Sequence, residues 1–186
     1  MTFKKRSNSA YSAFQNVVNG RSFDMRLPNS FKLILSGASG TGKTMTCKRL
    51  LQHSDQLMTS PPRRIYFFFQ IWQDGYEEMK RVIKTPIKFI QGAPSDDHLD
   101  EIIAHPDKGC IIILDDMQLH LTRSIVNLFQ VGARHSNISI ILLIQSLFDR
   151  TSPNLRDISL SATHFILTKS PRDQTQVSCL YHTKVL

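Results

Sequence analysis

Short apolar segments alternate with longer amphipathic or polar segments through most of the chain. The apolar segments span residues 31–35, 65–69, 87–90, 111–114, 138–144 and 164–167. Most of them are apolar almost throughout, which is typical of strands buried on both faces of a sheet. Strands of this kind separated by helices predict an α/β fold, with a mostly parallel central sheet and helices on both faces.

One stretch between two of these segments has a helical period. Leu121, Ile125, Leu128 and Phe129 are spaced at i, i+4, i+7 and i+8. This spacing predicts a helix with one apolar face, which we expect to belong to the core.

Residues 1–28 differ from the rest because they are polar and basic, with three successive cations at positions 4–6. They are predicted to form a loosely packed arm. With 186 residues in all and 41% hydrophobic content, residues 29–186 are predicted to form one domain with a single core. No apolar run approaches the roughly 20 residues needed to cross a bilayer. None follows the N-terminal charges either, so an intracellular protein that is not secreted is expected.

Charge and cysteine content narrow the class further. There are 23 Lys and Arg against 15 Asp and Glu, a formal charge of +8, which favours an anionic partner, nucleic acid first. The alternative is that the charge serves solubility alone. Cys47, Cys110 and Cys179 lack CxxC spacing and are predicted to be reduced, mostly buried thiols.

A glycine-rich motif lies between the first predicted strand and a predicted helix. Gly37, Gly42, Lys43 and Thr44 satisfy G-x-x-x-x-G-K-[ST], the phosphate-binding P-loop, in its required strand–loop–helix context. Lys43 is expected to neutralise the β- and γ-phosphates of ATP, and Thr44 to offer its hydroxyl to Mg²⁺. The residues predicted to contact the nucleotide are Gly37, Ala38, Ser39, Gly40, Thr41, Gly42, Lys43, Thr44 and Met45.

A second motif, CIIILDDM, is an apolar strand that ends in two carboxylates. Asp115 is predicted to emerge at the carboxyl edge of the sheet and to associate with Mg²⁺, as in a Walker B strand. Asp116 is then expected to polarise the attacking water. The alternative is that the two aspartates only begin a turn or cap a helix.

The number of strands indicates a subclass. A strand at 65–69 separates the P-loop strand from the Asp115 strand in sequence, so these two are not expected to be neighbours, as in the additional-strand, RecA-like P-loop ATPases. Gln145 ends the strand at 138–144, and would lie beside Asp115 if their strands are adjacent. It is then a candidate to hold the γ-phosphate or the water; the alternative is a polar residue that marks the strand end. The motifs of GTPases are missing, whereas a kinase remains open.

Several segments together resemble the genome-packaging ATPases of double-stranded DNA viruses, including poxviruses and adenoviruses, and of Polinton-like elements. The segments are SGASGTGKT, YFFFQIWQDGYEEM, FIQGAPS, IIILDDM, LFQVGARHSNISIILLIQSLF and RDISLSATHFILTKSPRDQTQV. These ATPases belong to the FtsK/HerA superfamily, and the similarity covers about residues 31–177. One departure is Asp116, where the superfamily more often has Glu.

The resemblance implies a motor subunit that hydrolyses ATP to ADP and phosphate and moves double-stranded DNA into a preformed capsid. It implies a homo-oligomeric ring, usually of five or six subunits, which meets capsid vertex proteins in the virion or at sites of capsid assembly in the host cell. It also implies that Arg134 is the arginine finger. Because Arg134 precedes its strand, it is expected at the amino edge of the sheet and would act on a neighbouring subunit. The fallback candidates are Arg150 and Arg156, whereas a surface salt bridge is expected for Arg172.

Contacts with DNA are the least specific part of the pattern. Lys80, Arg81, Lys84 and Lys88 form the densest basic run, which a solvated helix face explains equally well. Two other functions therefore remain open. One is a non-motor DNA-binding protein that uses ATP as a regulatory ligand, and the other is a small nucleoside or nucleotide kinase.

Overall fold

The structure is a computed structural model and describes residues 15–18, 21–104, 109–132, 137–149, 151–152 and 154–168. Its strands are β1 Gln15–Val18, β2 Arg21–Asp24, β3 Lys32–Ser36, β4 Arg64–Phe69, β5 Ile87–Gln91, β6 Cys110–Asp115, β7 Ile138–Ile144 and β8 His164–Leu167. Its α-helices are α1 Lys43–Gln52, α2 Ser54–Leu57, α3 Asp74–Val82, α4 Asp96–Ala104, α5 Arg123–Asn127 and α6 Leu155–Ser161. A 3₁₀ turn spans Gln118–His120, and a π-helical turn spans Leu128–Gly132.

The central sheet has six strands in the order β5-β4-β6-β7-β3-β8, and all of its pairings are parallel. Strand β7 lies between β3 and β6, so the P-loop strand and the Asp115 strand are separated, as predicted. The α/β fold class and the RecA-like arrangement of the sheet are therefore confirmed.

Helices cover both faces of this sheet because the central strands are apolar on both sides. Strand β6 is buried at every position. One face packs against α4, α5 and α6 through Leu99, Ile125 and Ile158. The other packs against α1 and α3 through Leu51 and Met79.

The predicted apolar helical face is buried, but it is not part of one α-helix. Leu121, Ile125, Leu128 and Phe129 are all at most 6% exposed. Helix α5 begins after Thr122, whose hydroxyl accepts a hydrogen bond from the Ile125 amide at 3.4 Å. Leu121 lies before this cap, and Leu128 and Phe129 lie in the π-helical turn. Burial on one face therefore persists although the helical type changes.

The basic arm carries regular structure in its second half. Strands β1 and β2 form an antiparallel hairpin. Leu27 then attaches to the domain, because its amide donates to the Leu57 carbonyl at 2.8 Å and its carbonyl accepts from the Thr59 amide at 2.9 Å. Residues 1–14 lie outside the described residues. The division at residue 28 stays a prediction.

The cysteines and the helices add two findings. Cys47 and Cys110 are buried, as predicted, whereas Cys179 lies outside the described residues. In the part of the chain that the structure describes, no helix has the length and apolar character needed to cross a membrane.

Candidate active site

An open cleft of about 300 Å³ lies at the carboxyl edge of the sheet, where β3, β6 and β7 end. Its lining residues are Ser39, Gly40, Gly42, Lys43, Thr44, Met45, Gln73, Asp115, Asp116 and Gln145. The structure thus brings both sequence motifs and Gln145 to one site. Only Gln73 in this set is absent from the sequence-based candidates.

The end of β7 holds the two motifs in place. The Gly37 amide donates to the Ile144 carbonyl at 3.1 Å, and the Asp116 amide donates to the Leu143 carbonyl at 3.1 Å. The P-loop and the acidic motif are therefore tied to successive carbonyls of the strand between them, directly before Gln145.

The P-loop joins β3 to α1 through a left-handed backbone. Gly40 and Gly42 have φ angles of 76° and 87°, a region that other residues rarely adopt. The Lys43 ammonium donates to the carbonyls of Gly37 at 2.7 Å and Ala38 at 3.0 Å, so it lies within the loop. Burial lowers the pKa of Lys43, and the nearby Asp115 and Asp116 carboxylates oppose that shift. Helix α1 begins at Lys43 and points its amino end at the cleft, as an anion site requires.

Thr168, directly after β8, shapes the start of the loop. Its amide donates to the Ser36 carbonyl at 2.9 Å, and its hydroxyl lies 2.7 Å from that of Thr41. A Cβ atom on residue 37 would lie 1.6 Å from the Thr168 Oγ1 atom, so only glycine fits there. Sequence reasoning missed Thr168, because only the pairing of β8 with β3 brings it near the loop.

Asp115 is 4% exposed and makes two hydrogen bonds through one oxygen. Its Oδ2 atom accepts from the Tyr76 hydroxyl at 2.7 Å and from the Thr44 hydroxyl at 3.5 Å. Burial raises the pKa of Asp115 above its usual range, and the Tyr76 hydrogen bond opposes this rise. Tyr76 is not among the sequence-based site candidates, because only the packing of α3 brings its hydroxyl to Asp115.

The predicted magnesium ligands converge in this way. Thr44 and Asp115 offer a hydroxyl and a carboxylate within hydrogen-bonding distance of each other. Within the described ranges, no group of three His, Cys, Asp or Glu side chains is positioned to hold a metal ion. Two oxygen ligands beside a phosphate site fit Mg²⁺, which keeps several waters and binds through few protein groups.

Asp116 and Gln145 are joined by a hydrogen bond. The Gln145 Nε2 atom donates to the Asp116 Oδ1 atom at 3.2 Å. Strands β6 and β7 are neighbours, which is the condition under which Gln145 was expected beside the acidic motif. Asp116 is exposed to the cleft and has a φ of 57°. The backbone N–H of Gln145 donates to the Oε1 atom of Gln118 at 3.0 Å, a contact that sequence reasoning also missed.

The structure describes only some of the cationic candidates. Arg134, Arg150 and Arg172 lie outside the described residues, and Arg156 is exposed on α6. The basic run is exposed at all four positions, Lys80, Arg81, Lys84 and Lys88.

The fold has close counterparts among solved structures. The genome-packaging NTPase B204 of Sulfolobus turreted icosahedral virus 2, in complex with ATP-gammaS, is 17% identical with a TM-score of 0.57, covering 80% of this chain and 81% of that one. The DNA-packaging ATPase B204 of Sulfolobus turreted icosahedral virus is 14% identical with a TM-score of 0.56, covering 81% and 82%. The flagellar accessory protein FlaH of Methanocaldococcus jannaschii is 18% identical with a TM-score of 0.51, covering 77% and 73%. At these identities the likeness establishes the fold.

Comparison with curated protein sequences gives no match. The family described as AAA domain matches residues 32–151, which is well over half of the chain and contains the P-loop, Asp115, Asp116 and Gln145. The expected resemblance to viral packaging ATPases is thus confirmed at the level of the fold, and the AAA domain family supports ATP as the nucleotide. The chain belongs to the AAA domain family of P-loop NTPases.

Proposed function

We propose that the chain is a subunit of an ATP-driven motor that packages double-stranded DNA for a DNA virus or a virus-like element. The observation that carries this proposal is the Asp116–Gln145 pair beside the P-loop. A carboxylate and an amide next to the γ-phosphate position suit activation of a water, which favours hydrolysis over transfer to a second substrate. The packaging role is supported by the sequence motifs and by the fold shared with the two B204 proteins.

Each group at the cleft has a defined part in hydrolysis. The loop amides and Lys43 hold the β- and γ-phosphates, while Thr44 and Asp115 would hold Mg²⁺, which would neutralise charge on the phosphate oxygens. Gln145 orients the water, and Asp116 accepts its proton as the water oxygen bonds to the γ-phosphorus. The bond from that phosphorus to the bridging oxygen breaks, which leaves ADP and phosphate.

A complete site requires a neighbouring subunit in this proposal. Strand β7 has seven residues, so its two ends lie roughly 20 Å apart. The chain at 134 precedes the amino end of β7, whereas the cleft lies at its carboxyl end. Arg134 therefore suits a site on the next subunit of a ring with head-to-tail interfaces.

The expected DNA contact is electrostatic. A translocating motor grips phosphates, and the formal charge of +8 and the four exposed cations of the basic run suit that partner. The proposed protein partners are capsid vertex proteins. The motor would act in the virion or at sites of capsid assembly in the host cell.

Steady-state ATP turnover with and without duplex DNA, together with the particle mass in ATP, tests this function. Turnover that rises with duplex DNA and a mass of five or six subunits are expected, and Asp116→Asn serves as the inactive control. DNA-independent turnover by a monomer would favour the non-motor function. Phosphoryl transfer to a nucleoside or nucleotide would identify a kinase.

Mixing two inactive variants tests the shared site. Arg134→Ala keeps its own phosphate-binding groups, and Lys43→Ala keeps Arg134, so mixed rings contain some interfaces with both. Arg134→Ala alone should be inactive, because loss of a trans arginine costs on the order of 10³ to 10⁵ in rate. Activity should partly return in the mixture, because those interfaces pair an intact phosphate site with an intact Arg134. Mixtures that stay inactive, while the wild type forms rings and turns over ATP, would contradict Arg134 as the finger and redirect the search to Arg150 and Arg156.

A further inference from the structure

The buried contact between Tyr76 and Asp115 has no role in the hydrolysis scheme above. We propose that Tyr76 is a positioning residue that orients the Asp115 carboxylate for Mg²⁺ and links it to the loop at residues 70–73, which is exposed at positions 71–73. This inference rests on the proposed ATPase function, because it concerns the metal site of that reaction.

The hydrogen bond sets the orientation of the carboxylate. Rotation of an aspartate about its last side-chain torsion is only weakly restricted, so a bonded partner is needed to hold one orientation. The Tyr76 hydroxyl lies 2.7 Å from Oδ2 of Asp115, and the Thr44 hydroxyl lies 3.5 Å from the same atom. Removal of the Tyr76 hydroxyl would leave only the longer of these two contacts.

The Tyr76 ring is itself held rigidly. The side chain is 1% exposed. Its ring centroid lies 4.9 Å from that of Phe67, 5.5 Å from that of Phe69 and 5.7 Å from that of Phe89. A phenylalanine would keep these aromatic contacts, so only the hydroxyl distinguishes positioning from packing.

The same helix turn leads to the exposed loop. The Tyr76 amide donates to the Gln73 carbonyl at 3.0 Å, and Gln73 lines the cleft. Trp72 lies edge-on to Tyr76, with ring centroids 5.5 Å apart, and is 41% exposed. Ile71 beside it is 77% exposed. A shift of Asp115 on binding of Mg²⁺ and nucleotide would therefore be transmitted through Tyr76 to this surface.

Trp72 also provides a spectroscopic signal, because it is the only tryptophan in the chain. The Lys80 ammonium lies 4.6 Å from the centroid of the Trp72 ring. A change in this contact would change the fluorescence emission of Trp72. Addition of Mg²⁺ to wild-type protein saturated with ATPγS should change Trp72 fluorescence, and Asp115→Asn should lose that change.

The decisive experiment compares Tyr76→Phe with Tyr66→Phe. Tyr66 is also buried, and its hydroxyl accepts from Arg64 at 3.4 Å rather than meeting the cleft. ATPγS affinity is measured over a series of Mg²⁺ concentrations. Without Mg²⁺ all three proteins should bind ATPγS equally. Tyr76→Phe should then need about 10- to 100-fold more Mg²⁺ to reach tight binding, as expected for loss of a group that orients a metal ligand. Tyr66→Phe should match the wild type.

The outcomes separate this inference from the proposed function. If the ATPγS affinity of the wild-type protein does not depend on the Mg²⁺ concentration, the ATPase proposal itself is contradicted. Normal Mg²⁺ dependence in both the wild type and Tyr76→Phe would overturn the inference alone. If Tyr76→Phe does not fold, as judged by circular dichroism, the Trp72 signal decides: no response of the wild type to Mg²⁺ would overturn the link.

Discussion

The side-chain amide of Gln145 donates a hydrogen bond to the Asp116 carboxylate at 3.2 Å. The two residues are separated by 29 positions in the chain, and they meet because β6 and β7 are neighbours that end at the same edge of the sheet. Asp116 is therefore part of the cleft, although an aspartate after a strand often serves only a turn. Its function as the group that accepts the proton of the water can be tested directly.

Asp116→Asn should bind ATP and Mg²⁺ normally and hydrolyse ATP at least about 100-fold more slowly, because an amide cannot accept the proton. Asparagine tolerates the left-handed backbone found here, with φ of 57°, so the fold should be preserved. Phosphate release and ATPγS binding are the measurements, and exposed Asp100→Asn is the matched control. Turnover near that of the wild type would show that Asp116 belongs only to the turn.

Lys43→Ala should lower the ATP turnover rate by about 100-fold or more, because Lys43 supplies the positive charge within the loop. The melting temperature should stay nearly unchanged, because Lys43 contributes no core packing. Lys84→Ala removes an exposed cation outside the cleft and should keep full turnover in the absence of DNA. Unchanged ATP affinity and turnover in Lys43→Ala would refute the phosphate-binding role of the loop.

Gly37→Ala should lower the free energy of unfolding by about 1–3 kcal/mol, as expected for overpacking, and should weaken ATP binding. The new Cβ atom would meet Thr168 Oγ1 at 1.6 Å and Thr168 Cβ at 2.9 Å. Adding Thr168→Ala should restore part of the loss, because it removes the nearer atom. Gly75→Ala, with open space around the added atom, is the control and should not destabilise the protein. Denaturant unfolding of these three variants and the wild type provides the measurement, and equal stability of Gly37→Ala and wild type would contradict the close approach.

Asp115→Asn should stabilise the nucleotide-free protein at neutral pH, by about 1 kcal/mol, while it weakens Mg²⁺-dependent binding. Burial raises the pKa of Asp115 in the folded state. Between the unfolded and the raised folded pKa, the folded state binds more protons, so the free energy of unfolding falls as the pH rises through this window. Above the window the folded state bears the full free-energy cost of burying the charged carboxylate. Asn is neutral and avoids that cost.

The difference in stability between Asp115→Asn and the wild type should therefore shrink as the pH falls through that window. Urea unfolding without Mg²⁺, from pH 8 to the most acidic pH at which both proteins fold, measures it. Two results would contradict the claim that burial destabilises the charged Asp115. One is a wild type that is more stable than the variant at pH 7, and the other is a stability difference between the two proteins that does not change with pH.

Much of the fold could be predicted because its signals are local. Apolar runs of strand length mark all six strands of the central sheet within one or two residues, as at 138–144. The P-loop and the acidic strand can also be read directly, since their chemistry requires particular residue types at fixed spacing. The separation of the two strands followed from the number of strands between them.

Other features could not be predicted because they depend on contacts between distant segments. The Tyr76 hydroxyl meets Asp115 only because α3 packs on the face of β6 and β3 that carries α1. Thr168 reaches Gly37 across 131 positions through the pairing of β8 with β3. Gln73 and Gln118 are ordinary polar residues in the sequence, and only the positions of their loops bring them to the cleft or to Gln145.

The central claim is that ATP hydrolysis drives movement along duplex DNA, and displacement of a third strand from a DNA triplex tests it most directly. A motor that travels along the duplex should release the third strand only when ATP and Mg²⁺ are present. Asp116→Asn should bind the same DNA and release none. Release by the wild type, absent with ATPγS and with Asp116→Asn, is the predicted result. A triplex that stays intact while wild-type rings bind it and hydrolyse ATP would contradict the account.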